Sequence, residues 1–260
     1  IASRNFQPDP LMTVASLWAI YALLRHHDEP TRLRFAVAGL AVGAAGLIKP
    51  MSVFITVPVL GMLALIEPLP WKQRIQAGAE LLLVSMLAPL LFYGYSATMG
   101  SLVQDQMKMR FEPQLISTPF FWNGLGRMIS RAETVPLFLV ALLGAAIARD
   151  RVARWVLAGL FVGWAMFAVA FTYHFPTHDY YHLPYLPVVA VGAALVLARV
   201  ESFLPSAARV GGATVLCLAT IGVGTLQAWP RLHEDNADRF AQVYKDVGEL
   251  AEHETRVLFL

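Results

Sequence analysis

Eight apolar segments, parted by short clusters of charge, restrict this chain more than any other feature. They cover residues 11–24, 35–48, 52–66, 77–95, 135–148, 155–171, 183–198 and 210–227. A bilayer core asks for about 20 apolar residues per helix, so the shorter segments must gain a turn from their flanks or sit in a tilted bundle. A buried soluble core is the alternative, and composition argues against it. Hydrophobic residues make up 57% of the chain, charged residues 15%, and the mean hydropathy is +0.55. That leaves too little polar side chain to cover a water-soluble body of 260 residues. The fold class that follows is an all-α membrane protein, a polytopic bundle of about eight transmembrane helices. The net charge is only +2, and nucleic acid is not expected as a partner. Cys217 is the single cysteine and lies in an apolar run, so no disulfide forms within the chain.

The basic residues alternate from loop to loop. Arg25, Arg32 and Arg34, then Lys72 and Arg74, then Arg149, Arg151 and Arg154, then Arg199 and Arg209 occupy one set. The opposite short loops hold Arg4 and Lys49, and residues 172–182 contain no Lys or Arg. The positive-inside bias puts the first set in the cytoplasm. The N-terminal segment, Lys49, the loop 97–134, the "HDYY" cluster and everything after Trp229 then face outward. The loop 97–134 is rich in aromatics, and its "FEPQ" and "STPFFWNG" stretches predict short helices, broken by proline, lying in the interface. Beyond Pro230, residues 237–252 predict a soluble amphipathic helix, followed by a strand. The expected organisation is a transmembrane domain over 1–230 and the beginning of an extracytoplasmic α/β domain over 231–260. The chain opens inside a polar segment at Ile1 and stops at "RVLFL", so it reads as a piece of a longer protein. It shows no internal repeat and no glycine-rich phosphate loop. Gly39, Gly43 and Gly46 line one face of the second segment and permit close helix packing.

Four constellations have side chains suited to chemistry. In "RNFQPDPLMT", Asp9 stands just ahead of the first helix, where a carboxylate either caps the helix or faces a membrane-level cavity. In "GLIKPMS", Lys49 sits in a tight turn, either snorkelling to headgroups or holding a phosphate. In "QDQMKMRFEP", Lys108 and Arg110 alternate with Met107, Met109 and Phe111, which suits either an amphipathic surface or an anionic headgroup. In "FTYHFPTHDYYHLPY", His174, His178 and His182 recur every four residues. Pro176 and Pro184 break that register, so no metal site is assigned, and Leu183 is not expected inside a helix. Tyr180, Tyr181 and Tyr185 fit an interfacial aromatic belt, and their hydroxyls also suit phosphate or sugar.

The ordered stretches "FQPDPLMTVASLWAIYALLR", "AGLAVGAAGLIKP" and "HDYYHLPYLPVVAVGAA" together resemble the polytopic glycosyltransferases of the GT-C superfamily. They are most similar to the bacterial relatives of dolichyl-phosphate-mannose protein mannosyltransferases and of the aminoarabinose transferase that modifies lipid A. The resemblance runs from about Ser3 to Trp229. It implies a helical bundle in the inner membrane with its active face extracytoplasmic. It also implies transfer of a sugar from a polyprenyl-phosphate donor to a protein, lipid or glycan acceptor, with inversion. Asp9 matches the family's acidic residue ahead of a transmembrane helix and is the catalytic candidate in this chain. Lys49 matches the lysine closing the "GL…K" motif. Lys108 and Arg110 fall where the family places basic residues in its long external loop. His178, Asp179, Tyr180 and Tyr181 match the late motif near the donor phosphate. The family's usual catalytic acid follows an earlier transmembrane helix, which this sequence does not contain, so the piece alone is expected to be inactive. The resemblance implies no cofactor and leaves a divalent metal open. A transporter or flippase for a lipid-linked sugar, or a non-catalytic scaffold of envelope assembly, would share the composition. A transporter would more often show repeated halves and charges within its helices.

Overall fold

Proline and glycine, paired across helix contacts, set how closely this bundle packs. The computed structural model describes residues 9–98 and 112–203, with residue 205 and isolated positions between 211 and 226. Eight α-helices are named here in chain order: α1 Asp9–Asp28, α2 Arg32–Ile48, α3 Val53–Ile66, α4 Trp71–Thr98, α5 Pro119–Ala132, α6 Val135–Ile147, α7 Arg151–Ala170 and α8 Leu186–Glu201. Short 3-10 turns cover Pro50–Ser52, Pro113–Ser117 and Asp179–Tyr185. There is no strand among the described residues. Residues 2–202 form one compact unit; a second gathers residues 203–260, in which the described positions between 211 and 226 are helical.

Seven of the eight apolar segments are therefore helices, and in the eighth, 210–227, every described position is helical; residues 231–260, with their expected helix and strand, lie outside the described residues. By length and hydropathy, α4, α7 and the stretch Asp179–Glu201 suffice to cross a bilayer. Helix α4, 28 residues long, rises about 42 Å and leaves Leu83, Leu87, Leu90, Leu91 and Tyr95 exposed, an apolar flank that water would not favour but lipid would. Helices α2, α3 and α6 have 17, 14 and 13 residues, short of a full span. The eighth α-helix is one the apolar pattern did not mark. Helix α5 is amphipathic, burying Phe121, Gly124, Leu125 and Met128 while Trp122 and Arg127 stay exposed. It meets α6 at 89°, through Glu133 and Thr134, whose φ is 60°. The "STPFFWNG" stretch thus opens one continuous helix, because Pro119 occupies its first turn, where a missing N–H costs nothing.

Helix α3 packs most extensively on α7. Pro58 has no N–H, so the Phe54 carbonyl four residues before it lacks its helical partner. Gly163 of α7 lies directly against that carbonyl, where a Cβ would collide with Phe54 O, and a Cβ on Gly159 would come 3.0 Å from Pro58 O. The α2–α4 contact repeats the device. Pro89 frees the Ser85 carbonyl, and a Cβ on Gly43 would come within 2.7 Å of it. Gly46 lies against the Pro89 ring, so the small-residue face of α2 is indeed where α4 approaches.

The two ends of the bundle differ in chemistry. At one end, Arg34 donates to the Arg25 carbonyl at 3.0 Å and pairs with Glu29 at 2.6 Å, and His27 Nδ1 lies 2.5 Å from Glu67 Oε1. Arg74 closes the α3–α4 turn by donating to the Leu65 and Leu69 carbonyls, and Arg154 does the same for Ala148. The opposite end holds Asp9, Lys49 and the Asp179–Tyr185 turn, packed over a core of Phe54, Phe167, Phe171, Phe175 and Tyr181.

Candidate functional site

Lys49 ends α2 because Pro50 follows it. A residue before proline is pushed out of the helical region, and Lys49 is extended, with φ −157° and ψ 123°. Its N–H still closes the helix on the Ala45 carbonyl at 3.2 Å, and its own carbonyl accepts from Ser52 N at 3.0 Å, opening the 3-10 turn toward α3. That sharp exit turns the side chain back across α1. There Lys49 Nζ lies 2.5 Å from Asp9 Oδ1. Asp9 is the first residue of α1 and is 1% exposed. Its side chain meets the lysine and not a backbone N–H, so it is not a plain helix cap; its carbonyl accepts from Thr13 Oγ1 at 2.8 Å. Asp9 Oδ2 is buried, with no hydrogen-bond partner among the described residues.

The Asp179–Tyr185 turn lies against α1 and completes the group. Lys49 Nζ is 5.4 Å from the centre of the Tyr181 ring and 5.7 Å from that of Tyr180, within cation–π range. Tyr181 is buried edge-on to Phe167 at 5.5 Å and stacked on Phe171 at 6.2 Å. Tyr180 tilts against it at 4.6 Å. His178 meets both tyrosine rings edge-on, at 5.3 and 6.0 Å, and stacks on His174 at 5.4 Å. Its Nδ1 lies 2.8 Å from Thr177 Oγ1. Asp179 is exposed, with no side-chain hydrogen bond or ion pair among the described residues. The structure thus brings together Asp9, Lys49, Tyr180 and Tyr181, with His178 behind the tyrosines. Lys108 and Arg110 lie outside the described residues.

One sequence expectation changes here. Leu183 does lie inside a helix, because the chain takes the tighter 3-10 form from Asp179 through Pro184 to Tyr185 before α8 begins at Leu186. His182 has surroundings of its own. It is wholly buried, its Nδ1 3.2 Å from Glu133 Oε1 and its Nε2 3.2 Å from the Phe175 carbonyl. Glu133 was not marked by the sequence; it is a lone carboxylate after an amphipathic helix, and only its burial at 2% exposure makes it notable. No group of three or more metal-ligating side chains gathers among the described residues.

The first third of the chain matches a known family. Residues 1–93 fit the family model described as dolichyl-phosphate-mannose-protein mannosyltransferase. The matched stretch runs from before Asp9 through Lys49 and into α4, so it carries the ion pair but not the tyrosines. No curated protein and no solved structure matches the chain. Over residues 1–93 the chain is thus similar to a family of GT-C-type membrane glycosyltransferases, and its long apolar helices accord with that similarity.

Proposed function

We propose that this chain is part of an integral-membrane enzyme that transfers a sugar from a polyprenyl-phosphate donor to a protein, lipid or envelope-glycan acceptor. In this reading residues 1–230 form its transmembrane domain in the inner membrane, and 231–260 begin an extracytoplasmic domain. The observation that carries the reading is the Lys49–Asp9 pair, set under two tyrosine rings at the Arg-poor end of an apolar bundle. A lipid-linked sugar presents an apolar tail, a phosphate and a polyhydroxylated ring. It needs a cation at membrane depth, and aromatic and polar surface beside it. The Arg-poor end is assigned to the outside by the positive-inside bias.

The reaction is a displacement at the anomeric carbon. An acceptor hydroxyl or amine attacks from the face opposite the phosphate. The carbon–oxygen bond to phosphate breaks, its electron pair leaves with the phosphate oxygen, and the sugar's configuration inverts. A carboxylate takes the acceptor's proton. Lys49 would meet the charge growing on the leaving phosphate, aided by Lys108 and Arg110, which the family resemblance puts in its long external loop. In the resting site Asp9 already neutralises Lys49, so an arriving phosphate must share that ammonium. Asp9 Oδ2 is this chain's candidate to receive the acceptor's proton. If another carboxylate takes that proton, as the family resemblance implies, Asp9 instead holds Lys49 in position. His178 and Asp179 would border the donor.

The test is transfer from a radiolabelled polyprenyl-phosphate sugar in vesicles containing the full-length protein. The reading requires cleavage of the donor and label in an acceptor, both reduced by Lys49→Ala. Movement of intact donor across the vesicle without cleavage would instead identify a transporter.

A further inference from the structure

The elbow between α5 and α6 carries a carboxylate that points into the core. Glu133 and His182, 49 residues apart, have fully buried side chains, and they join that elbow to the turn bearing Tyr180 and Tyr181. The proton count of the pair follows from its partners. A carbonyl only accepts, so His182 Nε2, facing the Phe175 carbonyl, carries a hydrogen. The contact between Nδ1 and Glu133 Oε1 then needs one more, whether held as imidazolium and carboxylate or as imidazole and carboxylic acid. Either way the pair is neutral, the form a buried site tolerates. The ring is clamped as well as bonded. Phe175 lies 4.3 Å from it, centre to centre, and Trp164 6.3 Å.

We propose that Glu133 and His182 are positioning residues, a neutral proton-sharing brace that holds the Asp179–Tyr185 turn so that Tyr180 and Tyr181 stand over Lys49. The reason is connectivity. His182 follows Tyr181 directly in a turn of seven residues whose two interior-facing sides are the tyrosine contact with Lys49 and the histidine contact with Glu133. Displacing the imidazole displaces Tyr181 with it. The same bond ties the tyrosines to the elbow at Thr134, where φ is 60° and the amphipathic helix gives way to the bundle. That hydrogen bond thereby links α5 to the candidate donor site, beside the packing of Gly124 on Pro176. As a statement about catalysis this rests on the glycosyltransferase reading; as a statement about the turn it does not.

The experiment therefore pairs two readouts on the full-length protein in membranes: backbone amide exchange over residues 174–185, and the donor KM. Glu133→Gln keeps a neutral side chain whose amide can donate to Nδ1. Exchange should stay close to wild type, and KM should rise by no more than about threefold. His182→Gln keeps a donor toward the Phe175 carbonyl but abandons Glu133. It should speed exchange across 174–185 by about tenfold or more and raise the donor KM by about 10- to 100-fold, with kcat less affected. Glu133→Ala should follow His182→Gln. The brace is refuted if His182→Gln and Glu133→Ala leave exchange in 174–185 unchanged, or if Glu133→Gln behaves as badly as Glu133→Ala. Exchange that responds as described in a protein with no transfer activity supports the brace and rejects the glycosyltransferase reading.

Discussion

Lys49 Nζ reaches back across the α1–α2 contact to lie 2.5 Å from Asp9 Oδ1, a pair formed by residues 40 positions apart. The lysine side chain is 15% exposed and the aspartate 2%. Pairs this deeply buried contribute little net stability when intact, but removing one partner strands the other charge, at a cost of about 3–5 kcal/mol. Asp9→Asn should therefore lower the melting temperature in detergent, and adding Lys49→Met to it should recover much of the loss. A double variant no more stable than Asp9→Asn alone would mean that the pair is not coupled in the membrane-embedded protein.

Transfer activity should separate the two partners. Lys49→Ala should reduce kcat/KM by about one to two decades, the worth of a charge-assisted contact to phosphate. Lys49→Arg keeps the charge but not the compact ammonium that Asp9 receives, and should fall between. If Asp9 takes the acceptor's proton, Asp9→Asn loses kcat more than affinity. If it only orients Lys49, the loss is chiefly in donor KM.

The tyrosines face Lys49 with their rings, so the ring matters more than the hydroxyl. Tyr181→Phe should retain transfer to within about threefold, while Tyr181→Ala should lose about tenfold or more, as expected from cation–π contacts of ~0.5–2 kcal/mol and the packing lost against Phe167. Equal loss in both variants would show that the hydroxyl, and not the ring face, makes the contact that counts.

Gly163 should tolerate no side chain. A Cβ there collides with the Phe54 carbonyl that Pro58 has freed, so Gly163→Ala should push α3 from α7 and cost about 1–3 kcal/mol or more. Gly126, on the exposed face of α5 with no atom of the described residues within 4 Å of an added Cβ, is the control, and Gly126→Ala should be neutral or slightly stabilising. Thermal unfolding of the two variants side by side measures the difference.

Sidedness can be read by cysteine labelling in intact cells, in a Cys217→Ser background. Gln114 and Thr31 are both exposed, and they sit at opposite ends of the bundle. Gln114→Cys should label with an impermeant reagent and Thr31→Cys should not. The reverse pattern would place the Lys49 site in the cytoplasm and remove the basis for an outward-facing transferase.

Composition and hydropathy sufficed for the class of this protein and for seven of its eight described α-helices, though not for their ends: the 11–24 run became Asp9–Asp28 and the 77–95 run became Trp71–Thr98. Apolar runs in lipid have no choice but to satisfy their backbone within helices, so the segments could be read off one at a time. The glycines of α2 and the prolines beside Lys49 and in α5 act locally, and their effects were legible for the same reason. What only the tertiary structure decided is which distant residues meet. Asp9 and Lys49 each carried two readings, a cap and a snorkel among them, because a side chain's partner depends on how two helices cross. Local pattern does not encode that crossing. Glu133 and His182 were less visible still. A glutamate at a helix end and a histidine among tyrosines are ordinary in sequence, and they became a buried pair only when the α5–α6 elbow turned through 89° and set one against the other. The pairing of a proline-freed carbonyl with a glycine on the facing helix is of the same kind. Each half is a local rule, but the match between Pro58 and Gly163 exists only where α3 and α7 touch.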